Sequence, residues 1–190
     1  GLGCAFELAK LGHQVDVYDG RKPGGVPRNS IPSFRLAARE LESDTKFLSR
    51  FFKFKTQSID GKGFEQIRKS YEATFLAVGL GQDRMLGVPG EKLKGVIPVL
   101  KFLENAKANS TSMKTGKRVV IVGGGNVSLD AAATAKRLGA ESVTLIYRRS
   151  EKEMRVWKSE LEEARSQGVE IRFLVNPVDI VGKNKVEGIQ

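Results

Sequence analysis

Two adjacent arginines end an apolar run in the second half of the chain, in the stretch "LIYRRS" at residues 145–150. A guanidinium group is always charged, and its planar fork of N–H donors binds phosphate oxygens, often in a bidentate geometry. Arg148 and Arg149 therefore have the chemistry needed to hold a phosphate group. What they hold depends on the elements that position them.

A glycine-rich turn precedes these arginines, in "KRVVIVGGGNVSLD" at residues 117–130. Residues 123–128 have the form G-x-G-x-x-S between an apolar strand and a helix. The first glycine permits a tight turn, the second lets the backbone approach a pyrophosphate, and the small third residue lets the helix pack on the strand. The N–H groups that begin the helix then face the phosphates. The pattern predicts a dinucleotide-binding turn, and the alternative is a glycine turn that packing alone requires.

The arginines bear on which dinucleotide this turn would bind. Arg148 and Arg149 follow Gly125 by 23 and 24 residues, which brings them to the end of the next strand. In such a unit that strand end lies beside the adenosine ribose, where an acid binds a free 2′-hydroxyl and an arginine accommodates a 2′-phosphate. The pair favours NADP over NAD, unless the two side chains are only solvated surface charges.

The same plan occurs earlier in the chain. "AKLGHQVDVYD" at 9–19 and "AKRLGAESVTLIYRR" at 135–149 both read as a helix end, a Leu-Gly turn and a strand that ends on a charged residue. This repetition predicts two dinucleotide-binding units. Asp19 ends the first strand and favours an unphosphorylated ribose, as in FAD or NAD. Gly1 would be the third glycine of the first fingerprint, so we expect both units to be incomplete in these 190 residues.

Composition narrows the possible partners. The formal net charge is +10, which suits nucleic acid, an acidic protein or phosphate-bearing cofactors. No basic ribbon with interspersed aromatic residues favours nucleic acid, and no apolar run approaches the roughly 20 residues of a membrane span. The single cysteine, Cys4, cannot supply the ligands of an iron–sulfur cluster. We therefore expect a cytoplasmic, cofactor-binding protein without a nucleic-acid or membrane partner, and with any cluster outside this chain.

Several long motifs carry a family resemblance. "ELAKLGHQVDVYDGRKPGGVPRNSIPSFRL", "ATFLAVGLGQDRMLGVPGE" and "GKRVVIVGGGNVSLDAAATAKRLGAESVTLIYRRSEKEM" resemble the small-subunit family of NADPH-dependent glutamate synthase. That family includes the related electron-transfer module of dihydropyrimidine dehydrogenase. The similarity covers nearly the whole chain, and the combination of Ile-Pro-x-Phe-Arg-Leu with Tyr-Arg-Arg is its most specific part.

The resemblance implies an α/β fold with two Rossmann-like domains of the glutathione-reductase type. Residues 1–90 would form an FAD-binding domain that lacks its N-terminal part, and residues 91–190 an NADPH-binding domain that lacks its C-terminal part. The implied FAD contacts are Gly1, Asp19, Gly25, Val26, Arg35, Ala77, Val78 and Gly79. The implied NADPH contacts are Gly124, Gly125, Asn126, Val127, Arg148, Arg149 and, as a further contact, Arg155.

The resemblance also implies an activity. The chain would be an oxidoreductase that moves a hydride from NADPH to FAD and electrons onward to iron–sulfur clusters, which a large catalytic subunit or an iron–sulfur domain supplies. Other acceptors in the family, namely sulfide, ferredoxin, pyrimidine or selenate chemistry, stay open. A non-catalytic NADPH-binding module is the alternative from another class. The motifs predict no catalytic side chain and no metal ligand.

Periodicity predicts three further features that the structure tests. The apolar run "ATFLAVG" at 73–79 has the composition of a buried strand. Ser150 and Glu153 form a capping box that predicts the start of a helix. Met154 and Trp157 fall on one face of that helix, which predicts that both side chains belong to the core.

Overall fold

The computed structural model describes residues 1–109 and 112–190, and its architecture is α/β. The chain divides into two units, Gly1–Gly81 and Gln82–Gln190. Parallel strands that alternate with helices form a sheet in each unit. Which cofactor each unit binds, and the expected division at residue 90, remain predictions.

The first unit contains four helices and two strands, in the order α1 (Leu2–Lys10), β1 (Asp16–Asp19), α2 (Gly25–Asn29), α3 (Ala38–Leu48), β2 (Lys53–Thr56) and α4 (Gly61–Ser70). The second unit contains α5 (Val99–Ala108), β3 (Arg118–Val122), α6 (Asn126–Arg137), β4 (Ser142–Tyr147), α7 (Lys158–Ser166), β5 (Val169–Phe173), β6 (Ile180–Val181) and β7 (Gly188–Ile189).

In the first unit, α1 leads directly into β1. The helix ends before Gly12, whose φ of 90° lies in the left-handed region that a side chain disfavours. Strand β1 then pairs in parallel with β2, with Asp16 opposite Lys53 and Asp19 opposite Thr56. The predicted order of helix, glycine turn and strand is therefore confirmed.

The second unit is a three-stranded parallel sheet in the order β3-β4-β5, with α6 packed against it. The helix is rich in alanine, and Ala132 and Ala135 are fully buried. Small side chains let the helix backbone lie close to the sheet, where Leu129 and Leu145 fill the space between them. Because parallel strands end at the same edge, the residues after β3 and after β4 are neighbours. The sequence predicts β3, α6 and β4 correctly.

The predicted strand at 73–79 is not formed. This segment has no strand pairing in the structure, and the side chains of Phe75 and Val78 are 66% and 90% exposed. An apolar run becomes a buried strand only where neighbouring strands pair with its backbone and other elements cover its faces. Within the described residues, the sheet of the first unit consists of β1 and β2 alone.

The helix predicted to begin after Ser150 begins later. The capping box is present, but it closes only a short 3₁₀ turn at Glu151–Glu153. The chain then bends at Val156, and α7 starts at Lys158. Met154 is buried as predicted, whereas Trp157 is 71% exposed, so its predicted place in the core is wrong. An isolated parallel bridge pairs Arg155 with Gly125, so this segment lies beside the glycine turn instead of continuing as a helix.

The C-terminal strands form a hairpin, with β6 antiparallel to β7. It is joined to the segment that opens the second unit. The Ile180 N–H donates to the Pro89 carbonyl at 3.0 Å, and the Val186 N–H donates to the Lys94 carbonyl at 2.9 Å. Gly90 makes this approach possible, because a Cβ there would lie 1.8 Å from the Ile180 oxygen.

Candidate functional site

The turn between β3 and α6 is built on glycines that leave no room for side chains. Gly123 has a φ of 147°, and a Cβ on it would lie 2.4 Å from the Ser128 hydroxyl. A Cβ on Gly124 would lie 2.3 Å from the ring of Tyr147, the last residue of β4. The small Ser128 and the ring of Tyr147 therefore fix the height of this turn above the sheet.

Gly125 differs from its two neighbours. A Cβ on it would meet no other atom of the protein within 4 Å, and its φ of −111° is open to any residue. Gly125, Asn126 and Val127 are all exposed. No side chain caps the start of α6, so its first N–H groups point outward without an intramolecular side-chain acceptor. Open space beside a glycine and uncapped amides fit a pyrophosphate, which needs close backbone approach.

Arg148 and Arg149 follow β4 at the same edge of the sheet and are exposed. Neither forms an ion pair with a carboxylate of the described residues within 4 Å. The Ser150 N–H and hydroxyl, with a smaller contribution from Arg149, hold the pKa of Glu153 below its usual value. The carboxylate of Glu153 is thus anchored to Ser150 and leaves both guanidinium groups available to an anion.

Arg155 belongs to the same edge. Its backbone forms the parallel bridge to Gly125, so the segment after the capping turn runs alongside the glycine turn. The structure therefore brings together five of the predicted NADPH contacts through the sheet edge and this bridge, namely Gly124, Gly125, Arg148, Arg149 and Arg155. Asn126 and Val127 begin the helix beside them.

The predicted FAD contacts of the first unit lie in several segments. Gly1 precedes α1, and a Cβ on it would lie 3.1 Å from the Ala77 Cβ, so these two residues approach closely. A side chain at Gly1 would thus fill space that Ala77 needs, as a glycine fingerprint requires. Val78 and Gly79 continue the segment of Ala77, and Gly79 has a φ of 72°.

The remaining FAD contacts surround α2 and the end of β1. The Asp19 carboxylate ends β1 and accepts a hydrogen bond from the Arg21 N–H at 2.9 Å. Gly25 has a φ of 54°, and both it and Val26 are exposed at the first turn of α2. The Arg35 guanidinium lies over the Phe34 ring, 5.5 Å from its centre.

One polar cluster was not anticipated from the sequence. Lys55 donates to Tyr18 at 2.9 Å and pairs with Asp16 at 2.7 Å, and the Tyr71 hydroxyl donates to the same carboxylate. Lys55, and after it Tyr71, lower the pKa of Asp16, whereas the bond to Asp16 raises the pKa of Tyr71 to about 12. Asp16 and Tyr18 alternate on β1 and so share a face, but no local pattern indicates that Tyr71 joins them.

The described residues offer few other sites. They contain no group of three or more His, Cys, Asp or Glu side chains that could hold a metal ion. Within residues 1–109 and 112–190, every helix is too short or too polar to be a candidate membrane span.

Comparison with known proteins gives relatives along the full chain. It is 37% identical to the beta subunit of an NADP(+)-dependent formate dehydrogenase from Moorella thermoacetica, over 100% of this chain and 28% of that protein. It is 35% identical to the small chain of glutamate synthase [NADPH] from Halomonas elongata, over 100% of this chain and 43% of that protein. The chain thus spans less than half of either relative.

Solved structures share the fold. FprA from Mycobacterium tuberculosis in complex with NADPH matches 99% of this chain and 60% of its own, with a TM-score of 0.80 and 20% identity. Thioredoxin reductase from T. acidophilum matches 100% of this chain and 66% of its own, with a TM-score of 0.66 and 18% identity. The predicted α/β fold with two Rossmann-like units is confirmed by this likeness.

A family model settles the classification. It covers residues 1–190 and describes the pyridine nucleotide-disulphide oxidoreductases. The predicted relationship to the glutamate synthase small subunit is confirmed by the relatives above. The chain belongs to the pyridine nucleotide-disulphide oxidoreductase family.

Proposed function

We propose that the chain is the core of an NADPH-dependent flavoprotein, in which the second unit binds NADPH and the first binds FAD. The observation that carries the proposal is the sheet edge of the second unit. There an open glycine and uncapped amides at α6 adjoin two arginines without an ion-pair partner among the described residues. A dinucleotide with a 2′-phosphate matches this combination of backbone donors and cations.

The protein groups have distinct parts in this mechanism. The amides of the first turn of α6 bind the pyrophosphate, and Arg148 and Arg149 bind the 2′-phosphate. The Tyr147 ring packs directly against Gly124. This contact keeps the backbone of the turn close to the sheet, so that the ligand can approach it. When bound, NADPH and FAD supply the hydride transfer itself, so the chain needs to orient them rather than contribute an acid or a base.

The first unit would hold FAD through its own strand end and glycines. Asp19 is the last residue of β1, and Arg148 comes directly after β4. A carboxylate at such a strand end accepts hydrogen bonds from ribose hydroxyls. Gly1 and the segment Ala77, Val78 and Gly79 would line the ligand on one side. Gly25, Val26 and Arg35 would line it on the other. The close approach of Gly1 to Ala77 supports this arrangement.

We further propose that electrons leave through iron–sulfur clusters outside this chain, in another domain or in a large catalytic subunit. Cys4 is the only cysteine of the 190 residues, too few for a cluster of the usual four-thiolate kind. The relatives are much longer than this chain, and their names give different redox reactions: an NADP(+)-dependent formate dehydrogenase, a glutamate synthase [NADPH] and an NADPH-Fe(3+) oxidoreductase from Geobacter sulfurreducens. The acceptor therefore has to be found by assay with the full-length protein.

The experiment that tests NADPH binding removes the two arginines. Each charge-assisted contact contributes roughly 1.5–3 kcal/mol, so Arg148→Ala/Arg149→Ala should weaken NADP⁺ binding by on the order of 10² to 10⁴ fold. NAD⁺ lacks the 2′-phosphate and should bind almost as before. The measurement is titration calorimetry with both nucleotides, followed by kcat/KM with NADPH, NADH and a dye acceptor in the full-length protein.

A matched control removes the same charge from the other edge of the sheet. Lys117 and Arg118 are exposed at the start of β3, far along the strand from the glycine turn. Lys117→Ala/Arg118→Ala should leave the preference for NADP⁺ unchanged. Equal losses for both nucleotides in the Arg148/Arg149 variant, or a wild type that prefers NAD⁺, would show that the arginines are ordinary surface charges.

A further inference from the structure

Burial alternates along the segment between the capping turn and α7. Met154 is buried and Val156 packs against the core, whereas Arg155 and Trp157 are exposed. Arg155 and Trp157 are therefore the two side chains of this segment that lie on its outer, solvent-exposed side. The exposed side of this segment therefore includes Arg155, whose backbone is bridged to Gly125 of the glycine turn.

The bridge sets the distance to that turn. Paired parallel backbones lie about 4.8 Å apart, and two residues span at most about 7 Å. The backbone of Trp157 therefore lies within about 12 Å of Gly125, to which Arg155 is bridged. An indole ring reaches several ångströms further, which brings it within the length of a bound dinucleotide.

The exposure of Trp157 is unusual for its type. Tryptophan is among the residues most buried on average, and its large ring gains most when a flat apolar surface covers it. This ring is 71% exposed. Cationic side chains accompany it along the chain, namely Arg148, Arg149, Arg155 and Lys158. A ligand that combines a flat ring with phosphate groups would stack on the indole and pair with these cations.

We propose that Trp157 stacks on the adenine ring of the nucleotide bound at the sheet edge. This inference rests on the proposed function and deepens it by naming a residue that recognises the base. The adenosine half is favoured over the nicotinamide half because the segment of Trp157 continues directly from Arg148 and Arg149, which bind the 2′-phosphate of the adenosine. Stacking on a base does not depend on the 2′-phosphate, so Trp157 contributes affinity equally to NADP⁺ and NAD⁺.

The chain offers a direct probe, because Trp157 is its only tryptophan. Intrinsic fluorescence excited at the indole band is titrated with three ligands: adenosine 2′,5′-bisphosphate, 5′-AMP and nicotinamide mononucleotide. We expect both adenine ligands to quench the emission to saturation, each with the Kd that calorimetry gives. Nicotinamide mononucleotide, which has no adenine, should leave the emission unchanged. Quenching by nicotinamide mononucleotide alone would overturn the assignment to adenine.

Substitutions separate stacking from structural support. Trp157→Ala should weaken NADP⁺, NAD⁺ and adenosine 2′,5′-bisphosphate by a similar factor of about 5- to 100-fold, the range typical of a base stacked on an aromatic side chain. Trp157→Phe should restore most of the affinity, since a phenyl ring also stacks. Ile97→Ala, which trims another exposed apolar side chain of the same unit, should change neither binding nor Tm.

The outcomes distinguish this inference from the function on which it rests. If calorimetry detects binding that depends on Arg148 and Arg149 but not on Trp157, the stacking proposal is wrong while NADPH binding stands. If none of the adenine ligands binds, the proposed function of the second unit fails first. A Trp157→Ala variant that loses Tm as well as affinity, and that Trp157→Phe does not rescue, would assign the ring a structural role.

Discussion

Gly124 and Gly125 are adjacent, yet they lack side chains for opposite reasons. At Gly124 the protein itself occupies the space, because the Tyr147 ring lies where a Cβ would be. At Gly125 no protein atom does, so the space is available to a ligand. Folding of this chain does not require glycine at a position where the Cβ would meet no atom and any residue adopts the φ. The two positions therefore separate folding from binding.

This contrast predicts different effects of the same substitution. Gly125→Ala should leave Tm unchanged and weaken NADP⁺ binding by on the order of 10- to 100-fold, because a methyl group displaces the pyrophosphate from its amide donors. Gly124→Ala should lower stability by about 1–3 kcal/mol through overpacking against Tyr147. Thermal melts and titration calorimetry of both variants test this. Full NADP⁺ affinity in Gly125→Ala would remove the glycine turn from the binding site.

The sequence predicts the glycine turn and the arginine pair because each follows from local pattern. It does not predict what the aromatic residues nearby do. The sequence pattern around Trp157 is compatible with a buried position on a helix and with an exposed position. The bridge from Arg155 to Gly125, which local sequence does not indicate, distinguishes the two. Tyr147 likewise reads as the end of a strand, and its support of Gly124 depends on how closely two strands and a turn approach.

At the level of the elements, the β1–β2 pair is held by a polar cluster as well as by its backbone. Asp16 and Tyr18 of β1 meet Lys55 of β2, and Tyr71 joins them after α4. Each hydroxyl and charge has a partner, so the group ties two strands and a later segment together. No residue of this cluster appears among the predicted cofactor contacts, and we assign it to the stability of the first unit.

The cluster makes the stability of the first unit depend on pH. Lys55, and after it Tyr71, hold the pKa of Asp16 below the usual 3.8. A lowered folded-state pKa means that the stabilisation is present above the unfolded value and is lost as the pH falls through the folded one. We therefore expect Asp16→Asn to be less stable than wild type at pH 7 and the difference to shrink below about pH 4.

Urea denaturation followed by circular dichroism at pH 7, 5 and 3 measures that difference. Asp44→Asn removes an exposed carboxylate of α3 in the same unit and should not reproduce the pH dependence. A constant difference between Asp16→Asn and wild type across this range would mean that the carboxylate contributes by packing rather than by charge.

The end of β5 is strained in a way that a substitution should relieve. Leu174 has a φ of 59°, and its N–H donates to the Arg149 carbonyl at 3.2 Å, next to the candidate site. A left-handed conformation costs a residue with a Cβ roughly 1–2 kcal/mol, and glycine avoids this cost at some loss of chain entropy. Leu174→Gly should therefore exceed Leu174→Ala in stability by about 0.5–1 kcal/mol, as thermal melts would measure. Equal Tm values for the two variants would show that the left-handed conformation at Leu174 does not reduce stability.

At the scale of the whole molecule, the second unit is the part that the sequence describes best. Its alternation of apolar strands with helices specifies a parallel sheet, since each strand is buried by the helices beside it. The first unit is described less well. The run at 73–79 has the composition of a strand, but pairing depends on neighbours that composition does not encode, and Phe75 and Val78 remain exposed.

Each ligand should protect from hydrogen exchange mainly the unit that binds it. A ligand at 100 times its Kd stabilises the unit that binds it by about 2.7 kcal/mol. NADP⁺ should slow hydrogen exchange most at the start of α6 and around Arg155, and FAD should slow it most in the first unit. Mass-spectrometric exchange with each ligand tests this. If NADP⁺ protected α1 and β1 but not α6, the assignment of the cofactors to the two units would be wrong.

The hairpin of β6 and β7 also has a consequence for synthesis on the ribosome. Its partners, Pro89 and Lys94, are made about ninety residues before Ile180 and Val186. At roughly 5–20 residues per second, that interval is about 5–20 s. During this time the three-stranded sheet has the opportunity to form. The carbonyl groups of Pro89 and Lys94 are bound to water until the hairpin is synthesised. The nascent chain thus acquires its glycine turn and arginine pair first, and closes the unit around them last.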